Sequence, residues 1–428
     1  MITRILHHSE GLLKGLLFDC HHCGQCVLTS TRLICPMRCP KQLRNGPCGG
    51  TTDGRCEVHP DRLCIWVRIQ GRRHGERIET PSSLPAVDER LRDTPSWVNH
   101  CTGADRAART PLMPVPEQPP TEVAEPATGS ALEARLRSGE FVCTSEVRAP
   151  RGLACGALRR QVATLRDEVA ALNCTAHLNG APSLPPAEVV QVLEELGCPS
   201  IGQATARDHT ATSFLGECLA LRRHGCRNLL CLTGDWAAEP QRSHQVFGMD
   251  SSLMLREAHA AQAAAPPAER LFLGAAINPG SSPWQVPIRR LLQKAEAGAR
   301  FIQTQLVCDL DAFATFMQRV VEQGLHRRLF LLAGVPVVTS RRALEFLPRI
   351  TGVVCPPAFH EALATAPDIR AAGIAGASAA LRRLQTMPGV HGAHLMLFGP
   401  DHSAVVETIR RGIARPSHKE FPACPTSA

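Results

Sequence analysis

The sequence predicts an α/β protein: a (β/α)8 TIM barrel over residues 130–428, a small N-terminal cysteine-rich metal-binding domain over residues 1–70, and a proline-rich linker over residues 71–129. Three observations predict this. From Glu140 onward, eight short apolar runs alternate with amphipathic stretches, the pattern of parallel strands joined by helical crossovers. They occupy roughly 280 residues, the size such a barrel requires. Eight cysteines crowd between Cys20 and Cys64, in a segment too poor in aliphatic residues to be held together by a core of its own.

The chain opens with Leu12, Leu13, Leu16 and Leu17, but Glu10, Lys14 and Asp19 interrupt them, so the start reads as an amphipathic lead-in rather than a secretory signal. The cysteines follow as Cys20, Cys23 and Cys26 in CxxCxxC, then Cys35 and Cys39, each followed by proline, then Cys48, Cys56 and Cys64. Three thiolates on one turn-rich loop with a distant Cys-Pro is an iron-sulfur ligand pattern, and eight ligands suit one or two 4Fe-4S clusters. Zinc remains open on the same residues as four-cysteine tetrahedra, with His21, His22 or His59 as substitutes, although His21 and His22 read rather as solvated. The 19 cysteines of the chain fit thiols and metal ligands in a reducing compartment, which makes the expected location cytoplasmic. From Gly71 to Gly129 periodicity vanishes and Pro, Glu, Thr and Arg dominate, as in a semi-extended linker. A helix is expected over Ser130–Ser138. The eight strand-like runs then end near Val147, Ala176, Ala206, Gly234, Asn278, Val307, Val338 and Leu397. Neither a GxGxxG fingerprint nor a P-loop appears, which argues against a Rossmann domain.

The net charge of +8 is scattered and not interleaved with aromatics, so a nucleic-acid partner is not expected. No apolar stretch is long enough for a membrane span. There is no tyrosine, so a site that needs a stacking ring or phenol must manage without one. Heptads are absent, which leaves homo-oligomer formation open.

Barrel chemistry gathers at the C-terminal ends of the strands. Polar residues stand there in order: Glu146, Thr175, Gln203 with Asp208, Asp235, Asn278 and Gln305. Any one acid after a strand is as readily a helix cap or a solvated charge. Seven polar groups on one rim together point to a site.

Two stretches resemble known proteins. The run CHHCGQCVLTSTRLICPMRCPKQLRNGPCGG, continued to CIW, is similar to the cysteine-rich module that accompanies methylenetetrahydrofolate reductases of acetogens and related bacteria. From Glu140 to about Ile413, SEV, NCTA, QATARD, NLLCLTGD, GAAINP, KAEAGARFIQTQLVCD and GVHGAHLML resemble, in that order, the catalytic barrel of the same family. The resemblance implies FAD as cofactor and reduction of 5,10-methylenetetrahydrofolate to 5-methyltetrahydrofolate, with electrons from NAD(P)H or from an electron-transfer protein through the clusters. It implies Glu146 as general acid, Asp235 as a charge stabilising the developing cation, and Gln305 as a reader of the pterin edge. For the flavin it implies Thr175, Gln203, Asp235 and Lys294, although Lys294 reads equally as an exposed helix lysine. Pro279-Gly280 stands where many relatives carry another acid, which departs from the pattern. Two other readings stay open at this point: a non-catalytic electron-transfer or scaffold subunit, and a flavin-free pterin-binding methyltransferase.

Overall fold

The computed structural model describes residues 2–72, 83–110, 127–175, 177–237 and 245–413. Its strands are β1 Val142–Arg148, β2 Ala171–Thr175, β3 Ser200–Thr205, β4 Asn228–Leu232, β5 Phe272–Ile277, β6 Phe301–Leu306, β7 Phe330–Val337 and β8 Gly392–Leu397. They pair in parallel and in sequence order into a closed barrel. The predicted TIM barrel is therefore the fold, and each strand-like run of the sequence contains one strand.

The helices before the barrel are α1 Ile2–Phe18, α2 Ile65–Gly71, α3 Ser96–Thr102, α4 Arg106–Arg109 and α5 Ala131–Arg137. Within it lie α6 Gly156–Leu165, α7 Pro186–Glu195, α8 Ala211–Arg223, α9 Ser251–Ala261, α10 Gln285–Glu296, α11 Leu310–Glu322, α12 Arg341–Phe346, α13 Pro357–Ala364, α14 Ile369–Gln385 and α15 His402–Gly412.

The barrel interior is layered because alternate residues of each strand point inward. At the bottom, Val142, Ala171, Ile201, Leu230, Phe272, Phe301 and Leu332 pack against Leu132 and Leu136 of α5, which plugs the N-terminal end. Phe272 and Phe301 stack with centroids 5.0 Å apart, and this is possible only beside Gly274, where a Cβ would come within 2.2 Å of the Phe301 ring. The layer above is polar and internally satisfied. Asn173 and Gln303 exchange amide hydrogen bonds of 2.7 and 3.0 Å across the barrel, and Thr144 Oγ1 lies 3.0 Å from His394 Nδ1. A larger apolar shell sits between the strands and the surrounding helices.

Residues 83–110 differ from the linker expectation. They carry α3 and α4 and lie against the cysteine segment, whereas residues 73–82 and 111–126 of the expected linker lie outside the described residues. Gln25 Nε2 donates to Asp88 O at 2.9 Å, Asn45 exchanges hydrogen bonds with the Leu84 backbone, and Asn99 Nδ2 donates to Gly24 O at 2.8 Å. Side-chain amides, not an apolar face, hold this piece, so hydrophobic periodicity carried no sign of it. The cysteine segment itself has two small apolar clusters, Leu28 with Cys35 and Met37, and Ile34 with Ile65 and Ile69.

The lead-in helix α1 is amphipathic with an inverted arrangement. Glu10 and Lys14 are buried as an ion pair that also engages Ser96, while Leu12, Leu13, Leu16 and Leu17 are exposed. Among the described residues no helix is long and apolar enough to cross a membrane.

Candidate active site and cysteine module

Glu146 sits on β1 in register with Asn173 of β2, so its carboxyl stands in the barrel mouth beside the Asn173–Gln303 layer. It is half-buried and accepts no hydrogen bond from the described residues. Burial pushes its carboxyl up to about 7, opposed only by the charge of Arg148. A carboxyl without partners in a desolvated mouth keeps its proton near neutrality, which is the requirement for a general acid.

Asp235 lies two residues beyond Thr233 on the loop that leaves β4. Its side chain is exposed. Desolvation raises its pKa, Glu57 adds to the rise, and Lys41 and Arg207 oppose it. Thr175 closes β2 and donates to Val147 O at 2.9 Å; Gln203 is half-buried on β3. Gln305 of β6 donates to Thr351 O and accepts from Leu306 N, both at 2.9 Å, leaving one amide hydrogen and one lone pair for a ligand. Asn278 is engaged by Gly49 O at 3.0 Å.

Thr175, Gln203 and Asp235 thus occupy three successive strand ends. Lys294 stands apart from them. It is 5% exposed between α10 and β5, its ammonium donates to Ala276 O, and burial followed by the charge of Arg290 pushes it down to about 7. The exposed-lysine reading is thereby overturned: α10 is buried along most of its length.

Sequence reasoning missed several residues. Arg207 is buried and donates to His177 O at 2.7 Å, to Asp208 at 2.8 Å and to Asp235 O at 3.3 Å, joining the loops after β2, β3 and β4. Despite burial, hydrogen bonds from Arg207 and Thr205 hold Asp208 below its usual value, so this acid is a structural anion. Asn173 and Gln303 each precede a predicted site residue by two positions, and the two-residue period of a strand was the signal that could have found them.

The cysteine segment seats on the C-terminal mouth. Lys41 Nζ donates to Gly234 O at 2.6 Å, Trp236 N donates to Glu57 Oε1 at 2.9 Å, and Arg290 Nη1 donates to Asn45 O at 3.1 Å. Its eight predicted ligands fall into two groups. Cys20, Cys23, Cys26 and Cys35 line one small pocket, partly open to solvent. Cys39 lies close enough to Cys64 and Cys56 to feel their charge, as does Cys48 to Cys39. Burial is the main cause that pushes Cys35 and Cys39 up to about 11. Gly24, at φ +71°, allows the CxxCxxC loop to pass Leu91 O, which a Cβ would meet at 1.8 Å. Among the described residues, no three His, Cys, Asp or Glu side chains converge as tightly as a single ion requires.

Residues 131–409 match the sequence profile of methylenetetrahydrofolate reductase, more than half of the chain. The chain belongs to the methylenetetrahydrofolate reductase family. Residues 2–87 match a second profile, described as the methylenetetrahydrofolate reductase C terminal, although here the segment precedes the reductase barrel. No curated protein matches the chain. Among solved structures, an uncharacterized protein from Clostridium thermocellum that binds two copies of 5-methyl-5,6,7,8-tetrahydrofolic acid is similar at 14% identity and a TM-score of 0.49, over 66% of this chain and 98% of that one. An oxaloacetate acetylhydrolase in complex with oxalate is similar at 12% identity and a TM-score of 0.40, over 67% of this chain and 86% of that one. A 2,3-dimethylmalate lyase stands at 11% identity and a TM-score of 0.38, over 68% and 92%. These distant structures say nothing of the reductase family's chemistry in this chain.

Proposed function

We propose that the chain reduces 5,10-methylenetetrahydrofolate to 5-methyltetrahydrofolate, with Glu146 as general acid. The observation that carries this reading is the carboxyl of Glu146, without hydrogen-bond partners and pushed up to about 7, inside the mouth of a barrel of this family. Opening the five-membered ring of the substrate requires a proton on the departing nitrogen. Glu146 holds one at neutral pH and has an open mouth in which to deliver it. The ring-opened species is cationic, and Asp235 offers a carboxylate to it from the loop after β4. Gln305, with one donor and one acceptor remaining, suits the alternating edge of a pterin.

A reduced flavin, when bound, supplies the hydride. Thr175, Gln203 and Asp235 offer it a hydroxyl, an amide and a carboxylate from adjoining strands, and this supports FAD on the β2–β4 side. Lys294 is poorly placed as a diphosphate ligand, because it is buried and its amine donates to Ala276 O. That commitment favours the rival reading of a flavin-free pterin-binding methyltransferase. For the cysteine module, four thiols ringing one cavity suit a 4Fe-4S cluster better than a single zinc, and the second quartet, Cys39, Cys48, Cys56 and Cys64, supplies ligands for another. Electrons then come from NAD(P)H or from a partner protein through these centres.

The test is anaerobic purification with a visible spectrum and iron, sulfide and zinc analysis, followed by the folate assay with Glu146→Gln. Flavin bands and loss of folate reduction in the variant, with flavin reduction intact, are expected. A colourless, active methyl-transferring protein would decide for the rival.

A further inference from the structure

The structure holds two charged side chains of the cysteine module almost fully buried at the barrel rim, where the reaction proposed above makes no use of them. Lys41 and Glu57 form an ion pair with side chains only 2% and 6% exposed. Lys41 Nζ donates to the carbonyl of Gly234 at 2.6 Å, and the carboxylate of Glu57 accepts from the amide of Trp236 at 2.9 Å. The residue between those two groups is Asp235. From the barrel side, Arg207 Nη1 donates to the carbonyl of Asp235 itself at 3.3 Å. Three consecutive residues are therefore each held by a charged side chain, two of these from a different domain.

We propose that Lys41 and Glu57 are positioning residues for Asp235, so that the cysteine module completes the folate-reducing site of the barrel. The proposal rests on the reductase reading. Burying two ions at a seam costs several kcal/mol in desolvation, and apolar side chains would join the domains more cheaply. What an apolar seam lacks is direction: an ammonium and a carboxylate fix a carbonyl and an amide separately, and so orient the peptide planes on both sides of Asp235. The surroundings reinforce this geometry. Gly234 has φ +86°, with Thr205 and Arg207 too close for a Cβ to sit freely. Trp236 stacks on Phe247 at 5.8 Å and an interplanar angle of 8°, and Lys41 Nζ stands 5.1 Å from the Phe247 ring. Lys41 and Glu57 lie close in sequence to Cys39 and Cys56, and Cys48 Sγ donates to Glu57 Oε2 at 3.6 Å.

The experiment uses the full chain carrying Lys41→Met together with Glu57→Met. Replacing both charges leaves neither ion unpaired, so the double variant is expected to fold and to keep the wild-type metal content, whereas either single change strands a buried charge. Two quantities are read: amide hydrogen exchange across residues 232–237, and kcat against KM for 5,10-methylenetetrahydrofolate. The expected result is faster exchange in that segment with kcat lowered roughly 100-fold, the size of a small misplacement of a reacting group. In an Asp235→Asn background the same double change should add little further loss, because the group being positioned is already gone. Unchanged exchange, or faster exchange with unchanged kcat, overturns the proposal, as does a full 100-fold loss in the Asp235→Asn background. If the wild-type chain does not reduce the folate at all, the reductase reading fails and exchange alone decides whether the clamp exists.

Discussion

Glu146 makes activity and stability run in parallel with pH. As general acid it is competent only while protonated, so kcat/KM for folate reduction should fall as pH rises through about 7. Its folded pKa lies above the ordinary 4.5, so the folded state binds this proton more tightly than the unfolded chain does. Stability from this group is therefore full below pH 4.5 and is lost progressively as pH rises to about 7, a loss of up to about 3 kcal/mol. Glu146→Gln should remove that slope and melt higher than wild type at pH 8; a melting curve series from pH 5 to 8 checks it. Lys294 has the opposite sign. Its folded pKa, about 7, lies below the ordinary 10.5, so stability falls as pH drops from 10.5 toward 7. Lys294→Met should raise the melting temperature at pH 7 and flatten its dependence on pH between 7 and 9. Glu146 stood out in the sequence as one of seven polar groups at successive strand ends, and its role came from the resemblance and not from its position alone. Lys41 did not: it meets Gly234 across 193 residues of sequence, and nothing local distinguishes it from a surface lysine.

At the level of elements, most strand ends were readable because the apolar run stops at a polar or glycine residue, as in LTGD after β4 and AINPG after β5. The α5 plug was also readable, from Ser130 as cap: its Oγ accepts from Glu133 N at 3.0 Å. Residues 83–110 were not, because Gln25, Asn45 and Asn99 hold them by hydrogen bonds that leave no periodic trace. The barrel floor depends on one missing side chain. Gly274→Ala places a methyl group within 2.2 Å of the Phe301 ring, which is held in turn by Phe272. The expected loss is about 1–3 kcal/mol, read as a lower urea midpoint with an unchanged slope. Because the stack lies at the opposite end from the mouth, KM of the folded variant should stay near wild type.

For the whole molecule, the cysteine module has little apolar interior beyond its clusters around Leu28 and Ile34, so the metal proposed for it would supply the rest of its stability. Stripping the metal anaerobically with a chelator should unfold residues 20–64 while the barrel keeps its far-ultraviolet signal; exchange mass spectrometry resolves the two. The cysteine spacing suggested a metal domain, but no sequence pattern says where a small domain will sit on a barrel. Its seat has a further consequence. The hydrogen bonds seen between described residues of the module and of the barrel land on the loop after β4, on Asn278 just after β5, and on α10. The module also approaches Thr351 and Gly352, beyond β7, so among the described residues it leaves β8, β1 and β2, and with them Glu146, uncovered. Under the reaction proposed here, the expected approach to Glu146 is over β8, β1 and β2, and lengthening the far end of the folate is expected to leave KM little changed by the Lys41→Met, Glu57→Met double variant.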